Sequence, residues 1–557
     1  MRRDRPTTLV VRSHQDARVE VARDGGIAGH AQLDRALSEA SARLRPLAGE
    51  PPQALRRRRG GERAIADLAC YFGVRAPSDR DPHELAERLR AADAVELAYV
   101  KGPIALPALP PAHVGATGTD AAEPPGPPED LRARQGYLDG APAGIGAEAA
   151  WSRPGGRGRG VTLIDVEGEW RFSHEDLRER GRLAGGRPGG DVEFRNHGTN
   201  VLGMLGALHN GRGVSGICPE ARIRTVSFMP ERAFGSAQAI KLAADALAPG
   251  DILLLEMMRP GPRTPPPGSP GYSPDSQLGY LPVEYWPDDM TAIQYAVSRG
   301  VVVVEAAGNG AQHLDDEVYA GIGPGFRDGR ENPFARDGLD SGAILVGAGA
   351  PPPGTHDQDH GPDRSRLEFS NWGTAADAQG WGREVTTTGG LGEGADDLRP
   401  GPVENRWYTD RFSGTSSAAP MVAGALACVQ GMLHAAGRRP LTPAQARVAL
   451  RETGSPQQPD AAGRLERIGS RPDIGALYEW ALHAAPERHF PPRPKRRDMK
   501  VTITIEDGDD RSTSVFSSGI EPPYIKGPSL VLTHEDGSQT ALDIAALKAA
   551  AEQSKPS

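Results

Sequence analysis

Cysteine is nearly absent from this chain. Only Cys70, Cys218 and Cys428 occur in 557 residues, far apart in sequence. They give no metal-binding spacing and cannot build a disulfide framework, so they read as small buried hydrophobes. Aromatic residues are also scarce, at 5 %. No apolar run approaches the roughly 20 residues of a membrane span. An excess of positive charge is missing too. The formal net charge of −9 argues against nucleic-acid binding by the chain as a whole. The N-terminal stretch MRRDRPTTLVVRSHQDARVE carries only the short apolar run Leu9 to Val11. A signal peptide needs about 7–15 apolar residues, so the chain as written is expected in the cytoplasm.

Glycine (70) and proline (51) are abundant, so long loops and linkers are expected. The length implies several units. Residues 1–102 read as a small α+β unit. Strands are expected at Thr8–Val11 and Val95–Val100, with helices at Leu33–Leu44, Arg63–Phe72 and His83–Ala92. Arg56 to Arg59 read as a solvated loop. Residues 103–135, which include Pro124-Pro125-Gly126-Pro127-Pro128, read as an extended linker. Residues 491–557 begin with the basic PPRPKRRDMK and continue as a small β-rich module.

Between them, residues 136–490 show a different pattern. Apolar, β-branched runs recur at Gly160–Val166, Ala221–Val226, Asp251–Leu255, Gly300–Glu305 and Ala343–Val346. Helical stretches alternate with them at His197–Leu208, Ala237–Ala246 and Asp288–Arg299. This alternation predicts an α/β domain with a doubly wound, mainly parallel sheet flanked by helices. In such a fold the loops at the carboxyl ends of strands carry the site.

Four polar residues fall at such places. Asp165 ends the first strand, His197 stands in NHGTNVLGMLGAL, Asn309 follows VVVVEAAG, and Ser416 opens the helical run in FSGTSSAAPMVAGALACVQGM. Singly these are ordinary cap and turn residues. Together they supply an acid, a base, an amide donor and a nucleophile. A serine hydroxyl attacks well only when a base takes its proton. An imidazole serves best when a carboxylate fixes its tautomer. The oxyanion that forms needs donors placed in advance.

At these residues the chain resembles the subtilisin-like serine peptidases, the S8 family. The order acid, base, serine matches. So do the windows VTLIDVEG, HGTNVLG, AAGNG and GTSSAAPMVAG, and the resemblance covers about residues 136–480. It implies that Asp165 orients His197, His197 is general base and then acid, and Ser416 attacks the peptide carbonyl. The Asn309 amide and the Ser416 backbone N–H would form the oxyanion hole. The expected activity is therefore serine endopeptidase, on protein or peptide substrates, with no cofactor needed for the chemistry. Two other readings are a catalytically silent peptide-binding module and an esterase using the same triad.

The departures from the family pattern are local. Asp-Val-Glu-Gly at 165–168 stands in place of the usual Asp-Thr/Ser-Gly. The substrate-binding strand usually reads Ser-x-Gly-Gly. Here Glu256, Met257 and Met258 occupy it, and bulky side chains are expected to reshape the pocket. A Pro-rich insertion, RTPPPGSPGYSPDSQLGYLPVEYWP, follows, and an acidic one runs from Gln312 to Asp340. Some family members bind calcium near the base-bearing helix, and Asp176 and Asn210 fall at matching places. The unit at 1–102 sits where the family carries a propeptide, so the chain's own N-terminal segment is the expected intramolecular inhibitor.

Overall fold

In the computed structural model the described residues are 7–106 and 126–484, apart from 22–26, 28, 57–61, 127, 178–182, 188, 230–234, 271, 274, 321–330, 337–338, 391–397 and 400–402. The backbone of four strands beyond residue 500 is also described. Most of the linker and three of the four consecutive arginines therefore lie outside the described residues.

The chain divides into two compact units, Met1–Glu487 and Arg488–Ser557. Within the first, the N-terminal part forms a four-stranded antiparallel sheet. Its strands are β1 (Thr8–Ser13), β2 (Arg43–Pro46), β3 (Tyr71–Arg75) and β4 (Val95–Lys101), in the order β2-β3-β1-β4. Helices α1 (Ala31–Glu39), α2 (Pro52–Arg56), α3 (Glu62–Leu68) and α4 (Pro82–Arg90) accompany it. The helix expected over Leu33–Leu44 stops at Glu39, and Arg43–Pro46 is an edge strand. Its burial alternates, with Leu44 inward and Arg43 and Arg45 outward, which is the period of a strand. Asp81 caps α4 by accepting from the His83 N–H at 2.8 Å, with Pro82 at the first helical position.

The large sheet has seven parallel strands. They are β5 (Thr162–Glu167), β6 (Leu183–Gly185), β7 (Arg222–Ser227), β8 (Ile252–Leu255), β11 (Val302–Ala306), β12 (Ile344–Gly349) and β13 (Ala376–Trp381). Between β8 and β11 the short pair β9 (Met258–Pro260) and β10 (Tyr280–Pro282) forms an antiparallel ribbon. The order of the large sheet is β13-β12-β11-β8-β5-β7-β6. Its central strands are buried on both faces, which explains their continuous apolar runs.

Each face has its own core. Leu163, Leu254 and Val304 join one cluster with residues of α5 (Ala147–Trp151), α6 (Val192–Gly206) and α9 (Thr415–Ala435). Ile164, Val166, Leu253 and Leu255 join the other, with α7 (Ser236–Asp245) and α8 (Pro287–Ser298). The period of two along β5 therefore sends Asp165 and Glu167 to the face covered by α6 and α9. By length and composition α9 could cross a membrane, yet 89 % of its apolar window is buried within the protein.

The N-terminal sheet packs on the large α/β part. Val10, Tyr71 and Tyr99 share a cluster with Leu281, Tyr285 and Trp286, while Leu55, Ile65 and Leu68 join the core beneath α7 and α8. In the second unit, Lys500–Asp507 pairs antiparallel with Asp510–Ser517, and Ser529–Thr533 with Gln539–Asp543.

Candidate active site

Ser416 is the second residue of α9 and is fully buried. Gly414 precedes the helix with φ 102° and ψ 179°, a conformation essentially confined to glycine. Pro420 lies inside the first turns of α9 and has no N–H to give the Ser416 carbonyl four residues earlier. The serine therefore sits at the positive end of a long, buried helix.

His197 lies in the second turn of α6, somewhat inside the helix rather than at its start. Asp191 caps that helix by accepting from the Glu193 N–H at 2.9 Å. The imidazole is buried, and the ring of Phe412, four residues before Ser416, meets it edge-on at 5.4 Å.

The carboxylate on His197 is that of Glu167. The Nδ1–H donates to Glu167 Oε1 in a short contact between two buried side chains. Asp165, expected from the sequence to orient the imidazole, is engaged elsewhere. Its Oδ2 accepts from Trp170 Nε1 at 2.7 Å. Both acids lie on the same face of β5, two residues apart. Glu167 is further along the strand and has the longer side chain. The signal was present in the sequence as the acidic departure Asp-Val-Glu-Gly.

Burial governs the electrostatics. It pushes the Glu167 carboxyl well above its ordinary range. It raises Asp165 likewise, with Glu167 adding to the effect and Trp170 and His197 opposing it. Burial lowers His197 to about 4 against the pull of Asp165, so at neutral pH the imidazole is an uncharged base.

Asn309 ties the end of β11 to α9. Its Oδ1 accepts from the Thr415 N–H at 2.9 Å and from Thr415 Oγ1 at 3.0 Å. The Gly308 N–H donates to Thr415 Oγ1 at 3.1 Å. These bonds place Asn309 beside the turn that carries Ser416. Its Nδ2 donates to Gln277 Oε1 at 2.9 Å. Gln277 comes from the Pro-rich insertion, and its placement was not legible in the sequence.

Of the three residues expected in the substrate-binding strand, Met258 is paired through its backbone. Its carbonyl accepts from the Ala105 N–H at 2.9 Å, and its N–H donates to the Ala105 carbonyl at 3.0 Å. The bulky side chain does not prevent the pairing. Gln277 Nε2 donates to the Leu106 carbonyl at 2.9 Å, and the Arg259 guanidinium donates to the Gly102 carbonyl. Ala105 thus forms an isolated antiparallel bridge with Met258, flanked by the contacts of Gly102 and Leu106. Met257 is buried in the core under α7 and α8. Glu256 is buried near Asp165 and Glu167.

Asp176 and Asn210 do come together, but as a hydrogen-bonded turn. Asp176 Oδ1 accepts from Asn210 Nδ2 at 3.0 Å and Oδ2 from the Val214 N–H at 2.9 Å. Both carboxylate oxygens are taken by N–H donors. The oxygen cage that calcium requires is not formed by these two residues. Among the described residues no group of three or more His, Cys, Asp or Glu side chains could hold a metal.

Comparison with known proteins agrees with this architecture. Residues 174–469, more than half of the chain, match the model of the subtilase family, peptidase S8. The chain is 27 % identical over 307 residues to the intracellular serine protease of Paenibacillus polymyxa, covering 54 % of this chain and 74 % of that protein. It is 26 % identical over 301 residues to the calcium-dependent protease of Trichormus variabilis, covering 51 % of this chain and 40 % of that one. In fold it is similar to fervidolysin from Fervidobacterium pennivorans, a keratinolytic enzyme related to subtilisin. The TM-score there is 0.52 at 15 % identity, over 93 % of this chain and 68 % of that structure. The parallel sheet, the buried histidine on α6 and the serine at the start of α9 thus accord with a subtilisin-like serine endopeptidase, and the chain belongs to the subtilase family.

Proposed function

We propose that the chain cleaves peptide bonds through a Ser416–His197–Glu167 triad and is kept latent by its own N-terminal unit. The observation that carries this reading is the hydrogen bond from His197 Nδ1–H to the buried Glu167 carboxylate. With Nδ1 committed, Nε2 is left as the basic nitrogen. It takes the Ser416 proton as the oxygen attacks the scissile carbonyl carbon. Glu167 then stabilises the imidazolium. The tetrahedral oxyanion is held by the Ser416 backbone N–H and Asn309 Nδ2. His197 returns the proton to the leaving amine, and water enters by the same route in reverse to release the acyl group.

The pairing of Ala105 with Met258 supports an extended peptide as substrate, since the chain's own segment already makes an antiparallel bridge there. It also supports intramolecular inhibition by residues 1–102. A tethered segment has a high effective concentration at the cleft. The name of the Paenibacillus relative supports action inside the cell. Calcium has no role in the steps above, and Asp176 with Asn210 does not suit it.

The test is labelling with a fluorophosphonate and hydrolysis of casein by the parent and Ser416→Ala. The parent is expected to be labelled at Ser416 and to hydrolyse casein, and the variant to do neither. Equal casein hydrolysis by the two proteins rules the reading out.

A further inference from the structure

Asp165, Glu167 and Glu256 form a buried group of three acids behind His197. β5 and β8 run parallel with Val166 opposite Leu255, and the Glu256 N–H donates to the Val166 carbonyl at 3.2 Å. Glu256 therefore follows the last paired residue and stands beside Glu167. Leu254 belongs to the core on the α6 and α9 face, so the alternation along this segment sends Glu256 to the same side as Asp165 and Glu167. All three side chains are 0 % exposed.

Their hydrogen-bond inventory does not close with three carboxylates. Glu167 Oε1 is used by His197 and Asp165 Oδ2 by Trp170. Glu256 Oε1 and Oε2, Glu167 Oε2 and Asp165 Oδ1 have no donor. Among the described residues, no lysine or arginine forms an ion pair with any of the three. Buried polar atoms are rarely left unpaired, and buried like charges are costlier still. No N–H or hydroxyl of the described residues reaches these oxygens, whereas a protonated carboxyl carries a donor of its own.

We propose that Glu256 is a positioning residue of the peptidase site: it holds a proton at neutral pH and donates its O–H to Glu167 Oε2. Glu167 then stays ionised and keeps Oε1 on His197 Nδ1–H. This rests on the reading of Glu167 and His197 as triad members. Burial, followed by the charges of Glu167 and Asp165, pushes the Glu256 carboxyl well above its ordinary range, in agreement with a retained proton. The titratable groups on the packed elements are Asp165 and Glu167 from β5 and His197 from α6, with Glu193 of α6 acting on His197. A donor to an ionised carboxylate lowers its pKa, so Glu256 holds the Glu167 titration down. Loss of that donor moves the titration up and extinguishes activity at a higher pH.

The test compares full-length parent, Glu256→Leu and Glu256→Gln across pH. Glu256→Leu is expected to shift the acid limb of kcat/KM upward by about one pH unit and to lower kcat near pH 6 about tenfold, with KM little changed. In Glu256→Gln the amide N–H replaces the carboxyl O–H, so the limb stays with the parent's and kcat falls by no more than about threefold. A folded Glu256→Leu with the parent's acid limb overturns the proposal. So does an equal shift in both variants, or a loss of kcat in both with no shift, which is what a purely structural role would give. Infrared difference spectra of Ser416→Ala with and without Glu256→Gln read the proton without any activity. A protonated-carboxyl band at neutral pH that vanishes with Glu256 is expected, and its absence overturns the proposal even if Glu256→Leu does not fold. Inactivity of the parent itself would instead count against the triad.

Discussion

Gln277 occupies the side-chain amide that the oxyanion would need. It accepts from Asn309 Nδ2 at 2.9 Å and donates from its own Nε2 to the Leu106 carbonyl at 2.9 Å. One residue of the Pro-rich insertion thus links the proposed oxyanion donor to the segment at 102–106. The Asn309 amide has two N–H groups, so Gln277 engages one of the donors that an oxyanion would use.

Gln277→Ala is therefore expected to shorten latency. A neutral hydrogen bond contributes about 1 kcal/mol, so loss of the bridge should speed removal of the N-terminal unit about fivefold. Gel time courses of self-processing check this. Unchanged processing would mean that Gln277 fills space without gating the site.

The two acids of β5 should behave very differently. Glu167→Gln keeps the shape but presents the wrong group to His197 Nδ1–H, and kcat is expected to fall by about 10⁴, as when a triad carboxylate becomes an amide elsewhere. Asp165→Asn retains an oxygen for Trp170 Nε1 and should cost about tenfold or less. Turnover of a peptide amide by the two purified variants decides between them. If Asp165→Asn were the more damaging, the acid would be reassigned to Asp165.

Much of this site was legible because its chemistry requires particular residue types at strand ends and helix starts. His197, Asn309 and Ser416 lie in the elements expected for them. The choice of acid was not legible, because Asp165 and Glu167 share a face of β5, and only the reach of the side chain sets which of them meets His197 Nδ1. The buried central strands were legible from β-branched runs such as Val302–Ala306. The strands β2 and β13 were not, since RLRP and ADAQGW carry too few apolar residues to announce a strand. Gln277 and Lys101 act through residues far away in sequence, and no local pattern encodes such contacts.

Lys101 is the ionic anchor of the N-terminal unit. Its Nζ lies 2.6 Å from Asp288 Oδ2 and 2.7 Å from Asp289 Oδ2, almost wholly buried, and Tyr99 Oη donates to Asp288 at 2.7 Å. Burial and then Asp288 raise the Asp289 carboxyl, and Lys101 opposes them. Lys101→Met removes one of the two cations facing these acids and leaves only Arg259, 3.7 Å from Asp289, which costs about 3–5 kcal/mol of docking. In the Ser416→Ala background the N-terminal unit should then become accessible to an added protease, while the catalytic unit stays resistant. Equal protection of both proteins would remove Lys101 from the anchor.

Asp176 gives a pH test of the turn that was expected to bind calcium. Burial raises its carboxyl to about 6, against the bonds from Asn210 and Val214. A folded value above the unfolded one favours the protonated form. The associated stability is present below the unfolded value near 4 and is lost as pH rises through about 6. Asp176→Asn should flatten that slope in melting temperature between pH 4 and 6. It should leave the response to a calcium chelator the same as the parent's. A chelator effect that disappears only in Asp176→Asn would place a metal at this turn after all.

The direction of the segment at 102–106 sets where self-cleavage is expected. Gly102 meets Arg259, Ala105 pairs with Met258, and Leu106 meets Gln277, which holds Asn309. Read from 102 to 106, the segment therefore advances from Arg259 toward Gln277 and, through it, Asn309. Self-cleavage within the linker between Pro103 and Gly136 is therefore expected on the C-terminal side of Leu106, the residue tied through Gln277 to Asn309. Residues 107–125 are the expected stretch. Parent and Ser416→Ala, expressed side by side, should differ by a new N-terminus in that window, read by mass spectrometry. A cut N-terminal to Ala105 would contradict the direction of the segment. If both proteins stay full length while the parent hydrolyses casein, the N-terminal unit is a passive neighbour and the triad assignment stands without it.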